Sequence, residues 1–264
     1  MRYLHFLIVL FFCLPVLCSG QFVEQYSVEG EFDRLELDNL LNVYTIKNAE
    51  IKKYRSDGGF SFRFSDNQLG DVGLFDVTYP LRPFVLYPDL NYLILLDNTL
   101  SNNRGRINLL DRGIGLGSVG CSSVQNHFWI YDAMNFSLIR MNENFKDVAK
   151  TGNLSQILRV ELNPVFMVEF NNRVYMNNPA TGILVFDIFG TYIKTIPLKG
   201  LNNFQVFGDI ITYFKDNTIH IYQTKTFQEE NLSLPIKCRD AKMMENIVIG
   251  LHNKGFTAWQ IVDP

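Results

Sequence analysis

Cysteine is scarce: 264 residues hold four, and only Cys121 and Cys238 lie beyond the first twenty positions. So few thiols exclude a small disulfide-stapled scaffold. Charge is also thin, at 19% of residues with a net charge of −3. No clustered basic excess exists, which excludes a nucleic-acid footprint. The richest basic spot, Lys52-Lys53-Tyr54-Arg55, reads as a solvated strand edge whose lysines discourage edge-to-edge pairing. Low-complexity tracts are missing, so disorder is not expected. Helical periodicity is nearly absent too; its clearest candidate, 145–158, is short and broken by Thr151-Gly152. Nor does the chain contain a G-x-S-x-G elbow, an H-E-x-x-H pair or a C-x-x-C pair.

What is present begins with Met1-Arg2, then an apolar run from Leu4 to Leu17, then Cys18-Ser19-Gly20. That order predicts a secretory signal peptide over 1–20, cleaved after Gly20. A spanning helix needs about 20 apolar residues, and Pro15 interrupts this stretch. Acylation at Cys18 is the lesser alternative, because Pro15-Val16-Leu17 lacks the small residue wanted before such a cysteine. The mature chain, 21–264, is then exported, with no transmembrane segment and a net charge of −4 once Arg2 is removed.

One phrase recurs six times: a turn-forming Asn or Asp, five residues rich in aromatic and aliphatic side chains, then a polar residue. It reads Asn42-VYTIK, Asn91-YLILL, Asn126-HFWIY, Asn171-NRVYM, Asp209-IITYF and Asn246-IVIGL, with starts 49, 35, 45, 38 and 37 residues apart. A period near forty with strand-like content in each unit predicts an all-β, six-bladed β-propeller of four-stranded antiparallel blades. Each phrase is taken as the second strand of its blade. Third strands follow at 50–55, 105–111, 137–142, 182–187, 218–223 and 255–262, and fourth strands are visible at 60–64, 145–149 and 192–197. The last unit has only about three strands, so Phe22–Val28 is expected to supply its outer strand and close the ring. Cys121 and Cys238 fall on inner strands of the third and sixth units, on opposite sides of the ring. A bridge needs Cα atoms within about 7 Å, so both are expected to be reduced.

Units such as GILVFDIFGTYIKTIPL (182–198) and YPLRPFVLYPDLNYLILLD (79–97) resemble blades of six-bladed propellers of the NHL-repeat kind. The resemblance covers the mature chain unevenly, best in the fourth unit. Those repeat motifs are structural, so it implies fold rather than activity.

Candidate chemistry is sparse. His127, His220 and His252 fall in three different units, on strands away from the axis, and are not expected to converge. GIGLGSVG (113–120) has the glycines of a phosphate-cradling loop but leads into an inner strand instead of opening a helix, and reads as an inter-blade connection. Some six-bladed propellers are calcium-dependent lactonases whose oxygen ligands meet in the central channel. Channel-lining candidates for such a role are Asp38, Ser122, Glu161, Asn203 and Asp240, with Ser123 and Asn163 beside them; PFVLY and VFMVEF fill much of the remaining inner-strand sequence. The loop 98–106, NTLSNNRGR, is unusually long and is expected to join second to third strands on the partner-binding face. It offers Asn98, Asn102, Asn103, Arg104 and Arg106 as contacts, with Tyr79 and Arg82 nearby. Together these features point to an exported binding or scaffold protein of the cell envelope, periplasmic or extracellular, with placement peripheral to an outer membrane included. An envelope or secreted protein is the expected partner, with no nucleic acid and no cofactor. A calcium-dependent lactonase-like hydrolase, or a propeller that takes a carbohydrate or peptide in its funnel, stands as the alternative.

Overall fold

The computed structural model describes residues 21–262; the signal peptide expected over 1–20 lies outside the described residues. Six four-stranded antiparallel sheets surround a central channel, forming a six-bladed β-propeller. The inner strands of blades 1 to 6 are Arg34–Leu37, Leu74–Asp76, Gly117–Ser123, Phe166–Phe170, Gln205–Phe207 and Asp240–Met244. β-Branched and aromatic residues fill the second and third strands, where both faces are covered by neighbouring blades. Tight turns connect successive strands within a blade. Asn171-Asn172 and Asp216-Asn217 place two successive residues at positive φ (49° and 58°; 50° and 61°). Asn and Asp tolerate that region, and two such residues in a row match the twist of a hairpin.

Each blade buries its faces only against its neighbours, and the core divides accordingly into six apolar clusters, one per blade interface. Packing is closest where backbones approach. At Gly120, on the inner strand of blade 3, a Cβ would stand 2.6 Å from Phe84 Cζ and 2.7 Å from the Trp129 carbonyl oxygen. Gly120→Ala is therefore expected to lower stability by about 1–3 kcal/mol, the usual range for overpacking, read as a shifted urea midpoint at unchanged slope.

The ring closes as expected. Gln21–Glu29 forms the outer strand of blade 6, antiparallel to Gly255–Val262, from Gln21 opposite Val262 to Glu29 opposite Gly255, with a bulge between Glu24 and Tyr26. Phe22 meets Trp259 edge-on at 6.2 Å, and Tyr26 meets Phe256 at 6.3 Å. Cys121 and Cys238 are both buried and free. Cys238 precedes its inner strand by two residues and is not part of it.

Blade 2 departs from the repeat as read from sequence. Its inner strand is only Leu74–Asp76, its second is Phe84–Tyr87, and the phrase after Asn91 is its third strand, Tyr92–Leu95. The expected third strand at 105–111 is instead a two-residue outer strand, Ile107–Asn108. The error has a local cause: Asn91 adopts φ 56° at the end of a 3-10 turn, Pro88–Leu90, and so imitates the Asn that opens second strands elsewhere. Second strands actually begin at Val43, Phe84, His127, Arg173, Ile210 and Ile247, a more even 41, 43, 46, 37 and 37 residues apart. Accordingly PFVLY belongs to a second strand, and the loop 98–106 joins third to outer strand. That puts it on the face of the inner-to-second turns, here called the upper face.

The basic spot also differs from expectation. Lys53 lies on the third strand of blade 1 and is buried, its ammonium 5.3 Å from the Tyr44 ring centre and donating to the Asn98 carbonyl at 3.0 Å. The outer strand Phe60–Ser65 covers that strand's edge, and the long stem lets the charged end reach a partner.

Candidate functional site

The inner strands line the channel and divide it into two unlike walls. Blades 6, 1 and 2 supply charged and polar side chains: Asp240 and Lys242, then Arg34, Glu36 and Asp38, then Asp76 and Thr78. Blades 4 and 5 supply Phe166, Val168, Phe170, Phe204, Val206 and Phe207. Between the walls lie two cavities, about 140 Å³ at the upper mouth and about 150 Å³ below, which share Glu36, Phe75, Asp76 and Phe166 at the waist.

Many polar side chains around the channel tie one blade to the next. Asp76 accepts from the Ser122 N–H at 2.7 Å, and Gln205 from the Met243 N–H at 2.8 Å. Glu169 accepts from the Val124 N–H at 3.0 Å and from Trp129 Nε1 at 2.7 Å. Arg34 donates to the Gly73 and Val72 carbonyls. Lys242 is only 2% exposed, and its Nζ stands 3.3 Å from Glu36 Oε2 without hydrogen-bonding geometry. Burial pulls its pKa down, but Glu36 and Asp240 more than offset this and hold it above the ordinary lysine value. Burial pushes the Glu36 and Asp240 carboxyls up. Glu36 keeps 21% of its side chain open, although protein encloses it, because it borders both cavities.

The channel candidates read from sequence are placed differently from one another. Asp38 stands at the upper mouth with both oxygens used: Oδ1 accepts from the Leu40 and Asn42 N–H groups, Oδ2 from Asn42 Nδ2 and the Tyr44 hydroxyl, all at 2.9 Å. Ser122 is buried, its hydroxyl donating to the Arg82 carbonyl at 3.3 Å. Ser123, also buried, accepts from Arg140 Nε at 2.9 Å. Asn203 borders the lower cavity from just ahead of its inner strand. Asp240 opens the inner strand of blade 6. Glu161 and Asn163 lie on the connection before blade 4, exposed, and border neither cavity. Glu36, Asp76 and Lys242 were missed; the available signal was charge within short apolar phrases, in LEL, LFD and DAKMM.

The three histidines remain apart. His220 stacks on Tyr213 at 4.7 Å and sits 2.5 Å from Glu229 Oε1; His252 Nε2 is 3.0 Å from the Thr257 hydroxyl; His127 opens the second strand of blade 3. Among the described residues, no group of three or more His, Cys, Asp or Glu side chains is placed to hold a metal ion.

On the upper face the loop 98–106 is pinned to both neighbours. Asp97 accepts from the Thr99 and Ser101 N–H groups and from Asn103 Nδ2, and Asn102 accepts from the Gly105 N–H. Arg104 pairs with Glu143 of blade 3 at 3.1 Å, and Arg106 pairs in bidentate fashion with Asp66, after blade 1, at 2.7 Å for both contacts. Both guanidinium groups are thus engaged within the chain. Asn98 is exposed and offers its carbonyl to Lys53. Arg82 donates to the Asn126 and His127 carbonyls; burial, then the charge of Arg104, lowers its pKa to about 10. Tyr79 is half-buried, its hydroxyl raised by burial and by the Glu169 and Asp76 carboxylates.

The fold and channel define a six-bladed β-propeller. No family model matches the chain, and no curated protein matches it in sequence. Solved structures do share its shape. The Neurospora crassa Pan2 WD40 domain is similar with a TM-score of 0.58 and 10% identity, over 88% of this chain and 79% of that one. BamB from Moraxella catarrhalis gives 0.53 and 7%, over 91% and 100%. A streptogramin B lyase gives 0.54 and 12%, over 86% and 78%. At these identities the likeness is one of fold.

Proposed function

We propose that this propeller is an exported, non-catalytic binding or scaffold protein of the cell envelope that holds a protein partner on its upper face. One observation carries this. The three most exposed large apolar side chains among the described residues, Phe189 (76%), Leu81 (74%) and Phe227 (69%), all stand on upper-face turns. They belong to blades 4, 2 and 5 and share one face of the disc, Leu81 on an inner-to-second turn and Phe189 and Phe227 on third-to-outer turns nearer the rim; large apolar side chains exposed on one face mark an interaction surface. The inner-strand carboxylates and amides, by contrast, are largely occupied in joining blades. No helix among the described residues is long and apolar enough to cross a membrane.

The test is recovery of partner from crosslinked envelopes. The double variant Leu81→Asp, Phe189→Asp should recover at least about tenfold less. Its melting temperature should stay within about 2 °C, since exposed substitutions usually change stability by under about 0.5 kcal/mol. Undiminished recovery would remove the upper face from consideration. Stoichiometric calcium with lactonase or esterase turnover that chelation abolishes would replace the scaffold reading with the enzymatic one.

A further inference from the structure

We propose that the upper cavity takes up one organic cation, an ammonium or guanidinium on a short apolar stem, with its charge at Asp76 and its stem against the phenylalanine wall. This rests on the binding-module reading only in treating the upper face as the working face. The channel holds four carboxyl groups, Glu36, Asp38, Asp76 and Asp240, against two bases, Arg34 and Lys242. Lys242 serves Glu36 and Asp240, and Asp38 is fully hydrogen-bonded within its own turn.

Asp76 differs from the rest. It accepts from the Thr78 N–H and hydroxyl through Oδ1 and from the Ser122 N–H through Oδ2, yet no basic side chain lies within ion-pair reach of it among the described residues. It borders the cavity, and burial raises its pKa, as expected of a carboxylate removed from water without a countercharge. Blades 4 and 5, across the channel, present Phe166, Phe170 and Phe207 to the same space. Aromatic faces attract cations and also shelter an alkyl stem. A volume of about 140 Å³ suits a lysine- or arginine-sized group and falls below the roughly 300–1,000 Å³ of pockets for larger ligands.

The cation has two sources with the same chemistry, a free amine or a basic side chain of the partner. Titrations of the purified chain, followed by NMR, separate them. n-Butylammonium and n-butylguanidinium are expected to bind saturably at about millimolar Kd or tighter, and n-butanol not at all. A blocked peptide with one lysine that binds more tightly than butylammonium identifies the partner's side chain as the source; the reverse order identifies a free amine. Asp76→Asn should weaken binding by about tenfold or more. Phe170→Ala, which leaves the Asp76 hydrogen bonds in place, should weaken it severalfold and keeps the test open if Asp76→Asn does not fold. The proposal fails if no cation binds, if butanol binds equally, if micromolar calcium displaces the amine, or if a folded Asp76→Asn protein binds as the original does. These readouts need no partner, so they are independent of envelope recovery.

Discussion

Deleting residues 21–29 should lower the melting temperature by about 6–20 °C. The deletion removes the half-buried Phe22, Tyr26 and Val28 from their packing on blade 6 and leaves the third strand Gly255–Val262 as an open edge. Fully burying one large apolar side chain contributes about 1.5–3 kcal/mol. Three half-buried ones, with the cover they give Trp259 and Phe256, amount to about 3–5 kcal/mol. In a chain this size each kcal/mol shifts the melting temperature by about 2–4 °C. Adding the missing segment back as a peptide should restore part of the loss. A deletion that melts as the intact chain does would show that the ring does not depend on this strand.

Lys242→Met should be the most damaging single substitution in the channel, at about 3–5 kcal/mol near pH 8. Removing one member of a buried charge pair leaves its partners uncompensated, and here two carboxyls, Glu36 and Asp240, lose their cation at once. The sign of the pH dependence follows from their raised pKa values. A carboxyl raised on folding binds its proton more readily in the folded state. The folded state therefore loses stability as pH rises from the ordinary carboxylate value, about 4, through the raised one. In the variant the raised carboxyls lack an opposing charge, so its deficit should shrink on acidification toward pH 5. Lys242 itself is raised, so in the original chain its contribution is present below about pH 10.4 and lost above that. Parallel urea titrations at pH 5 and pH 8 provide the measurement; an equal deficit at both would mean that Lys242 acts through packing alone.

Blade number, strand order and the closing strand were legible because they rest on period and polarity, which the repeated phrase carries in five units of six. Blade 2 was misread because a local turn at Pro88–Asn91 reproduced the residue types of a second-strand start, and a three-residue inner strand leaves almost no periodic signal. The channel was legible only in part. Asp38, Ser122, Asn203 and Asp240 lie at or beside it, whereas Glu161 sits on an exposed connection. What Glu36, Asp76 and Lys242 do depends on which blades face one another across the axis, a relation between residues up to 206 apart in the chain. Arg104 and Arg106 looked available for the same reason: their partners, Glu143 and Asp66, are about forty residues away.

Joining the first strand to the last third strand also governs the order of assembly. Glu29 pairs with Gly255, so this contact closes a loop that spans every other blade. Until that loop closes, the nine-residue strand is unpaired and the edge of Gly255–Val262 stands open. During that interval an unfilled edge on one molecule accepts the waiting strand of another as readily as its own, because the pairing is chemically identical. At high concentration the encounter between molecules competes with closure of a single long loop, whose entropic disadvantage grows only slowly with length. Reciprocal exchange then yields a two-fold dimer in which both rings are complete. Refolding at rising concentration should thus divert material from closed monomers into strand-exchanged pairs.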